Sequence, residues 1–268
     1  MNEVSTPDSA AGVPSTSSED AHPSTRAVFN GLLHAEGDPE SIVGSLNARL
    51  FRSLLTLTLQ FEGTRFVGRG VSLATDGTAE WHFVDGTGRE MVMTLAQKRS
   101  EETGGLRLEG TLSAEGIIIA RLNSGASTHH PRRSAFPGAG KYTLLLPHQD
   151  SDDPARVPAG EGMGYGAINP AGKARFLIAL ADGQRISVAG SVDDDGRLPV
   201  FATPYRRRDG QLAGTIQMRE IENVSHLDGR LHWNRPADIP APPLYSSGFD
   251  TQLPVVGAVY APPVRGTR

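Results

Sequence analysis

The sequence predicts an all-β protein made of two tandem copies of one antiparallel β-meander unit, each a small barrel or a strongly curved sheet. The chain repeats itself: Gly63 to Gly70 followed by Asp76-Gly77 resembles Gly183 to Gly190 followed by Asp195-Gly196. Apolar residues alternate with polar ones, and glycine-containing turn signals separate the alternating runs. An internal repeat of this kind indicates the architecture more strongly than any short motif does.

Composition limits the class of protein. The 268-residue chain is long enough for two modest domains, and 38% hydrophobic residues can form real cores. A net charge of −4 argues against nucleic acid as a partner. The absence of cysteine excludes disulfides, thiolate zinc sites and a cysteine nucleophile. No apolar run approaches about 18 residues, which predicts no transmembrane helix, and the N-terminus shows no signal-peptide pattern.

Residues 1–27 are predicted to form a disordered tail. The segment is rich in Ser, Thr, Pro and Ala, and it carries four acidic residues but no base before Arg26. Such a composition cannot bury enough apolar surface to offset the entropy lost on ordering.

The first β unit is predicted over 28–123. Leu55, Leu57, Leu59 and Phe61 alternate with polar residues, a period of two that indicates strands with one buried and one exposed face. Turn signals separate the strands, and we expect tight type I′ hairpins at the acidic-residue–glycine pairs. These signals are Glu62-Gly63, Asp76-Gly77, Asp85-Gly86, Gly104-Gly105 and Glu115-Gly116.

Residues 124–139 interrupt the alternation and are predicted to link the units, so that the second unit spans 140–263. Its turn signals are Asp182-Gly183, Asp195-Gly196, Asp209-Gly210 and Asp228-Gly229. The segment Leu108 to Leu112 matches Leu212 to Ile216. On this alignment the second unit is predicted to lack the hairpin that the first unit has around residues 85–100. A last strand, 253–260, is expected to close the second unit or to extend a sheet edge.

The second unit resembles an uncharacterised duplicated β-module of large bacterial cell-surface and secreted proteins, where it occurs beside immunoglobulin-like or autotransporter-type repeats. The resemblance covers 140–263 well and 28–123 weakly. It implies an extracellular structural or adhesive part and supplies no active-site residues. The residues that carry it are Tyr142 to Pro147, Gly164-Tyr165-Gly166, Asp195 to Phe201, Leu231 to Pro236, Gly248-Phe249 and Val255 to Pro263.

Aromatic residues provide the candidate ligand-binding positions. Trp81 and Trp233 share a strand face with Phe83 and Leu231 respectively, so we expect both tryptophans in the cores. Tyr165, Tyr205 and Tyr245 remain as possible ligand-binding residues, with carbohydrate as the ligand that stacked rings would bind. Tyr165 and Tyr245 are expected to be the better exposed of these candidates.

The remaining polar clusters are interpreted as solvated loops. The densest set of potential metal ligands is His129-His130 with His148, Asp150, Asp152 and Asp153, but nothing in their spacing fixes three ligands at coordination geometry. Asp193-Asp194-Asp195-Gly196 lacks the spacing of a calcium loop and is predicted to be a charged hairpin tip. Tyr205 to Arg208 is a short basic run before a turn. We therefore predict no catalytic residue, cofactor or metal.

The sequence thus favours a non-enzymatic structural or adhesive β-module of a bacterial surface or secreted assembly. Its expected partners are other repeats or subunits of that assembly, and its expected location is extracellular or on the cell surface. The alternative is a binding module for a carbohydrate or an apolar small molecule. An exposed aromatic platform or a guest-sized interior would favour the alternative.

Overall fold

A computed structural model describes residues 26–101, 103–147, 158, 160–205, 210–222, 224–237 and 245–262. The predicted disordered segment before Arg26 lies outside these residues, as do His148, Asp150, Asp152, Asp153 and Arg206 to Arg208. Every regular element among the described residues is a β-strand, which confirms the all-β prediction. No described helix could cross a membrane.

Within the described residues, sixteen strands form two sheets of eight. The first sheet contains β1 (Ala27–Ala35), β2 (Asp38–Phe51), β3 (Leu54–Phe61), β4 (Thr64–Ser72), β5 (Thr78–Val84), β6 (Glu90–Arg99), β7 (Leu106–Ala114) and β8 (Ile117–Ser127). The second contains β9 (Gly140–Leu146), β10 (Gly162–Ile168), β11 (Lys173–Ala179), β12 (Arg185–Ser191), β13 (Arg197–Ala202), β14 (Gln211–Ile221), β15 (Ser225–Arg235) and β16 (Phe249–Val259). The first four residues of the predicted linker, 124–127, belong to β8.

The two sheets have the same antiparallel topology. Their strand orders are β4-β3-β2-β1-β8-β7-β6-β5 and β12-β11-β10-β9-β16-β15-β14-β13. The edge strands β4 and β5 come into contact, as do β12 and β13, so that each sheet rolls into a nearly closed barrel. The duplication is confirmed, and β16 closes the second barrel by pairing with both β9 and β15.

The second unit does not lack a hairpin. The strand order shows that β13 and β14 correspond to β5 and β6, whereas the sequence match had aligned β14 with β7. The error arose because Leu-x-Gly-Thr followed by an aliphatic residue occurs in both β7 and β14. A short strand motif with one inward glycine is too general to fix the alignment of a repeat.

The Glu-Gly pairs and the Asp-Gly pairs of the sequence have different backbone conformations. Glu62-Gly63 and Glu115-Gly116 both have positive φ at each residue, as a type I′ hairpin requires. At Asp76, Asp182 and Asp195 only the following glycine has positive φ, so these turns are not type I′. Asp228-Gly229 is not a turn but lies within β15, where a Cβ on Gly229 would come within 2.4 Å of the Thr215 carbonyl oxygen.

Each barrel is filled by its own hydrophobic core. In the first, Leu57, Leu59 and Met93 are fully buried, and in the second Phe176, Ile178 and Trp233 are at most 2% exposed. A third, small cluster joins the barrels, in which Leu32 and Ile42 of the first meet Ala213 and Phe201 of the second. These inter-barrel residues point outward from their own barrels, so the contact is made between outer surfaces.

Candidate functional site

The three tyrosines predicted as ligand contacts occupy different environments. Tyr165 projects from β10 and is 63% exposed, as expected of a ligand-binding position. Tyr205 is only 4% exposed, and Tyr245 is partly buried against Phe249, with ring centroids 5.6 Å apart. Tyr165 and Tyr245 are thus both more exposed than Tyr205, as expected, although the Tyr245 ring packs on the core at the start of β16.

Tyr205 belongs to a buried polar cluster near the end of the second barrel. Its hydroxyl donates to Asp182 Oδ2 at 2.9 Å and accepts from Trp233 Nε1 at 3.1 Å. Arg235 lies over the Tyr205 ring and donates to the Tyr245 carbonyl oxygen at 2.8 Å. Burial and the nearby Asp182 carboxylate raise the pKa of Tyr205 far above its usual range. The phenol therefore stays protonated and anchors two loops to the core.

Trp81 is not the buried core residue that the alternation predicted. It is partly exposed at the seam between β4 and β5, where its ring stacks on Phe83 at 4.4 Å and Phe83 in turn meets Phe66 at 4.8 Å. The seam is not closed by a backbone ladder, so side chains must fill it. Trp233, by contrast, is 1% exposed, as predicted.

Gly68 makes room for the Trp81 ring. A Cβ at Gly68 would come within 2.8 Å of Trp81 Cε2. In the second barrel the corresponding positions, placed by the strand order and the repeated turns, are Val188 and Val200. The first barrel thus has a glycine and a tryptophan at these two positions, where the second barrel has two valines.

We expect Gly68→Val to destabilise the first barrel by about 1–3 kcal/mol, because the new methyl groups would overlap the Trp81 ring. Adding Trp81→Val should recover part of this loss, since the pair then matches Val188 and Val200. Chemical denaturation of both single variants and the double variant measures the coupling. Gly86→Val is the control, because a Cβ there meets nothing within 4 Å. Strictly additive changes in the free energy of unfolding would contradict the inference that Gly68 must be small because Trp81 is large.

The Asp193–Asp195 hairpin tip is not solvated as predicted but is packed against the first barrel. Asp194 accepts hydrogen bonds from the backbone nitrogen of Thr128 at 2.9 Å and from its hydroxyl at 2.8 Å. Arg107 donates to Asp195 Oδ2 at 2.9 Å. Asp193 is 5% exposed, and Gly125 leaves space for its carboxylate, because a Cβ there would come within 2.4 Å of Oδ2. Asp194 and Asp195 thus bond to the first unit, and Asp193 packs against it.

Asp193 gives a pH-dependent prediction. Burial, the largest cause, raises its pKa, although Oδ1 accepts from the backbone nitrogens of Arg197 and Asp195. A carboxyl with a raised folded-state pKa costs stability as pH rises above its unfolded value, about 3.9. Asp193→Asn keeps an acceptor at Oδ1, so we expect unchanged or higher stability at pH 7 and a smaller loss of stability as pH rises from about 4.

Asp193→Ala is the companion variant. It removes the acceptor, and we expect a cost of about 1–3 kcal/mol for the unsatisfied backbone donors. Thermal unfolding of both variants from pH 4 to 8 measures the effects. An Asp193→Asn protein that loses as much stability as Asp193→Ala at pH 7 would show that the charge itself stabilises the interface.

One exposed surface of the second barrel combines apolar and basic side chains. Met163 on β10 lies directly opposite Leu145 on β9, and Tyr165 on β10 lies directly opposite Leu177 on β11. These four side chains are 38–66% exposed and form one continuous patch. We call the outward-facing surface of β9–β12 the front face of the second barrel.

Basic residues border this patch. The outward-facing residues Lys141, Lys173, Arg175 and Arg185 are all exposed. No acidic residue occupies an outward-facing position within these four strands, although Glu161 directly precedes β10. Among the described residues, none of the four bases forms an ion pair. The front face is therefore suited to a partner with apolar and acidic groups.

The described residues contain no cluster of three or more potential metal ligands. His129 lies at the barrel interface, 3.3 Å from the Asp193 carbonyl oxygen, while His130 forms a local turn with Ser134. The adjacent histidines thus serve different local contacts.

The fold and these surfaces define a class: an all-β protein of two fused eight-stranded barrels with an exposed apolar and basic face. The chain matches no known protein-family model, and no curated protein is significantly similar to it.

Proposed function

We propose that this protein is a non-enzymatic structural or adhesive module of a bacterial surface or secreted assembly, and that the front face of the second barrel contacts other repeats or subunits. The observation that carries the proposal is the patch of Leu145, Met163, Tyr165 and Leu177 in its basic border. A contiguous apolar patch on a water-facing surface supports an interaction site there.

The coupling of the barrels supports a structural role. Hydrogen bonds from Thr128 and Arg107 to the Asp193–Asp195 tip, together with the Leu32 cluster, resist rotation of one barrel against the other. A rigid pair of barrels transmits force and keeps a fixed distance between its outer faces. Both properties suit an assembly component.

Surface labelling of intact cells tests the location. We expect an epitope-tagged chain to be cleaved by protease added outside the cell that makes it, and to remain associated with a larger assembly after mild extraction. Tyr165→Glu should release the chain from that assembly, whereas Thr56→Glu, on the exposed side of β3, should not. A chain that is protected until the cells are lysed would contradict the surface role.

Carbohydrate binding is a second candidate function, favoured by a groove of about 670 Å³ on the first barrel. Its accessible lining is mainly apolar, and His34, Thr94, Thr111, Arg121 and Asn123 add polar groups that can bind sugar hydroxyls. The barrel interiors are occupied by core side chains, so a ligand would bind outside them.

Titration with soluble oligosaccharides tests this candidate by calorimetry. We expect Arg121→Ala to weaken any sugar binding at the groove, and Arg52→Ala, at the distant β2–β3 turn, to leave it unchanged. Sugar binding that is lost instead in Tyr165→Glu would move the carbohydrate site to the front face.

A further inference from the structure

We infer that the front face of the second barrel binds the first barrel of a second copy of this chain, so that copies associate head to tail. The partner surface is the outward-facing side of β5 and β6, formed by Glu80, His82, Glu90 and Val92, which we call the back face of the first barrel. The inference rests on the proposed structural role and names the partner.

The contact between the two barrels within one chain is heterologous. The first barrel contributes Leu32 and Ile42 from β1 and β2, and the second contributes Phe201 and Ala213 from β13 and β14. Hydrogen bonds flank this cluster: Gln211 Nε2 donates to the Ile42 carbonyl oxygen at 2.7 Å, and Asn30 Nδ2 donates to the Ser191 carbonyl oxygen at 3.2 Å. In this contact the outer surface of β1 and β2, which corresponds to the front face of the second barrel, meets the outer surface of β13 and β14. The latter corresponds to the back face of the first barrel.

The corresponding surface of β9 and β10 is left open on the second barrel. Leu32 pairs with Ser45 in the first barrel as Leu145 pairs with Met163 in the second, and the strand orders are identical. Leu145 is thus the counterpart of Leu32. Leu32 is 5% exposed because the second barrel covers it, whereas Leu145 is 38% exposed.

The open front face is also the more apolar of the two. Met163, Tyr165 and Leu177 replace Ser45, Asn47 and Thr58, which occupy the corresponding register positions of the first barrel. The corresponding surface of the first barrel carries these polar residues and is already partly buried by the second barrel. Burying the second would remove more apolar surface from water and so stabilise a contact more strongly.

The back face of the first barrel complements this surface in charge. His82 and Val92 are directly opposed on β5 and β6, as Phe201 and Ala213 are on β13 and β14, so they hold the positions that make the internal contact. Glu80 and Glu90 add negative charge beside them, and both are exposed. Acidic groups on this face would meet the basic border of Lys141, Lys173, Arg175 and Arg185.

A heterologous contact between copies does not pair a surface with itself. Each copy keeps one free front face and one free back face, so addition continues until a ring closes or a filament grows. The expected association is therefore open-ended and concentration-dependent, in contrast to a two-fold dimer.

Sedimentation velocity of the full chain from about 1 to 500 μM tests the inference. We expect the mean mass to rise steadily with concentration and to fall when salt is raised, because screening weakens the charged border. Tyr165→Glu and Val92→Glu should each raise the dissociation constant at least tenfold. Thr56→Glu, exposed on β3, is the matched control and should leave association unchanged.

Mixing the two defective variants separates this contact from other modes of association. Tyr165→Glu retains a normal back face and Val92→Glu a normal front face, so an equimolar mixture should form a 1:1 complex that grows no further. Circular dichroism of each variant shows whether it is folded. Failure of two folded variants to form this complex would overturn the inference.

Other outcomes also decide the matter. A chain that stays monomeric at 500 μM, or whose association is unaffected by Tyr165→Glu, would overturn the inference. So would binding of the monomeric chain to anionic lipid vesicles through the front face. A monomeric chain displayed on the cell surface would leave the proposed function standing, whereas a chain that associates but is confined inside the cell would leave only the self-association.

Discussion

Deleting residues 253–263 should unfold the second barrel and leave the first folded. The deletion removes most of β16, which pairs with β15 on one side and β9 on the other, and takes Leu253 and Val255 out of the core. A central strand cannot be lost without exposing two unpaired edges. We expect a loss comparable to the whole stability of a small domain, about 5–15 kcal/mol.

Hydrogen exchange measures this effect, since protection of the backbone amides should be lost in β9–β15 and retained in β1–β8. Thermal unfolding gives the melting temperature of each protein. Deletion of residues 1–25 is the control, because that segment has no apolar periodicity that would dock on a barrel. Its melting temperature should equal that of the full chain. Equal melting temperatures for both truncations would show that β16 contributes nothing.

Trp233→Ala should destabilise the second barrel by about 3–5 kcal/mol. Trp233 is 1% exposed, packs edge-on against Phe249 at 4.6 Å and donates from Nε1 to the buried Tyr205 hydroxyl. The substitution therefore creates a large cavity and removes one partner of a buried hydrogen bond. Denaturant unfolding monitored by far-ultraviolet circular dichroism gives the value.

Trp81→Ala is the matched comparison, because Trp81 is partly exposed at the β4–β5 seam and should cost distinctly less. Fluorescence quenching distinguishes the two rings as well. With Trp233 as the remaining tryptophan, emission should resist quenching by iodide, whereas with Trp81 alone it should be partly quenched. Equal quenching in the two single-tryptophan proteins would contradict this assignment.

The all-β architecture could be predicted because its signal is local. The alternation of Leu55, Leu57, Leu59 and Phe61 with polar residues reports which side of a strand is buried, and the structure confirms the inward positions. The repeated Gly63–Gly70 segment likewise predicted two units. Turn signals placed most hairpins, although Asp228-Gly229 misled because a glycine within a strand looks the same in sequence as a glycine in a turn.

The errors concern features that depend on distant residues. Trp81 alternates like a core residue, but it lies at the unpaired seam between β4 and β5, where its exposure depends on how the edges of the sheet meet. The aspartates at 193–195 have the composition of a solvated tip, yet their exposure depends on Thr128, directly after β8, and on Arg107 of the first barrel. Tyr205 is buried because Asp182 and Trp233 satisfy its hydroxyl.

The sequence by itself determined that the chain forms strands, that it does so in two copies, and which face of the clearly alternating strands turns inward. Those properties follow from the two-residue period of a strand and from turn residues next to it in the chain. Only the tertiary structure decided which outer surface is covered and which is left open. Asn30 and Ser191 meet although 161 positions separate them, and no local pattern encodes such a contact. Leu32 and Leu145 occupy equivalent positions in the repeat, and only the packing of the barrels makes one interior and leaves the other exposed for a partner.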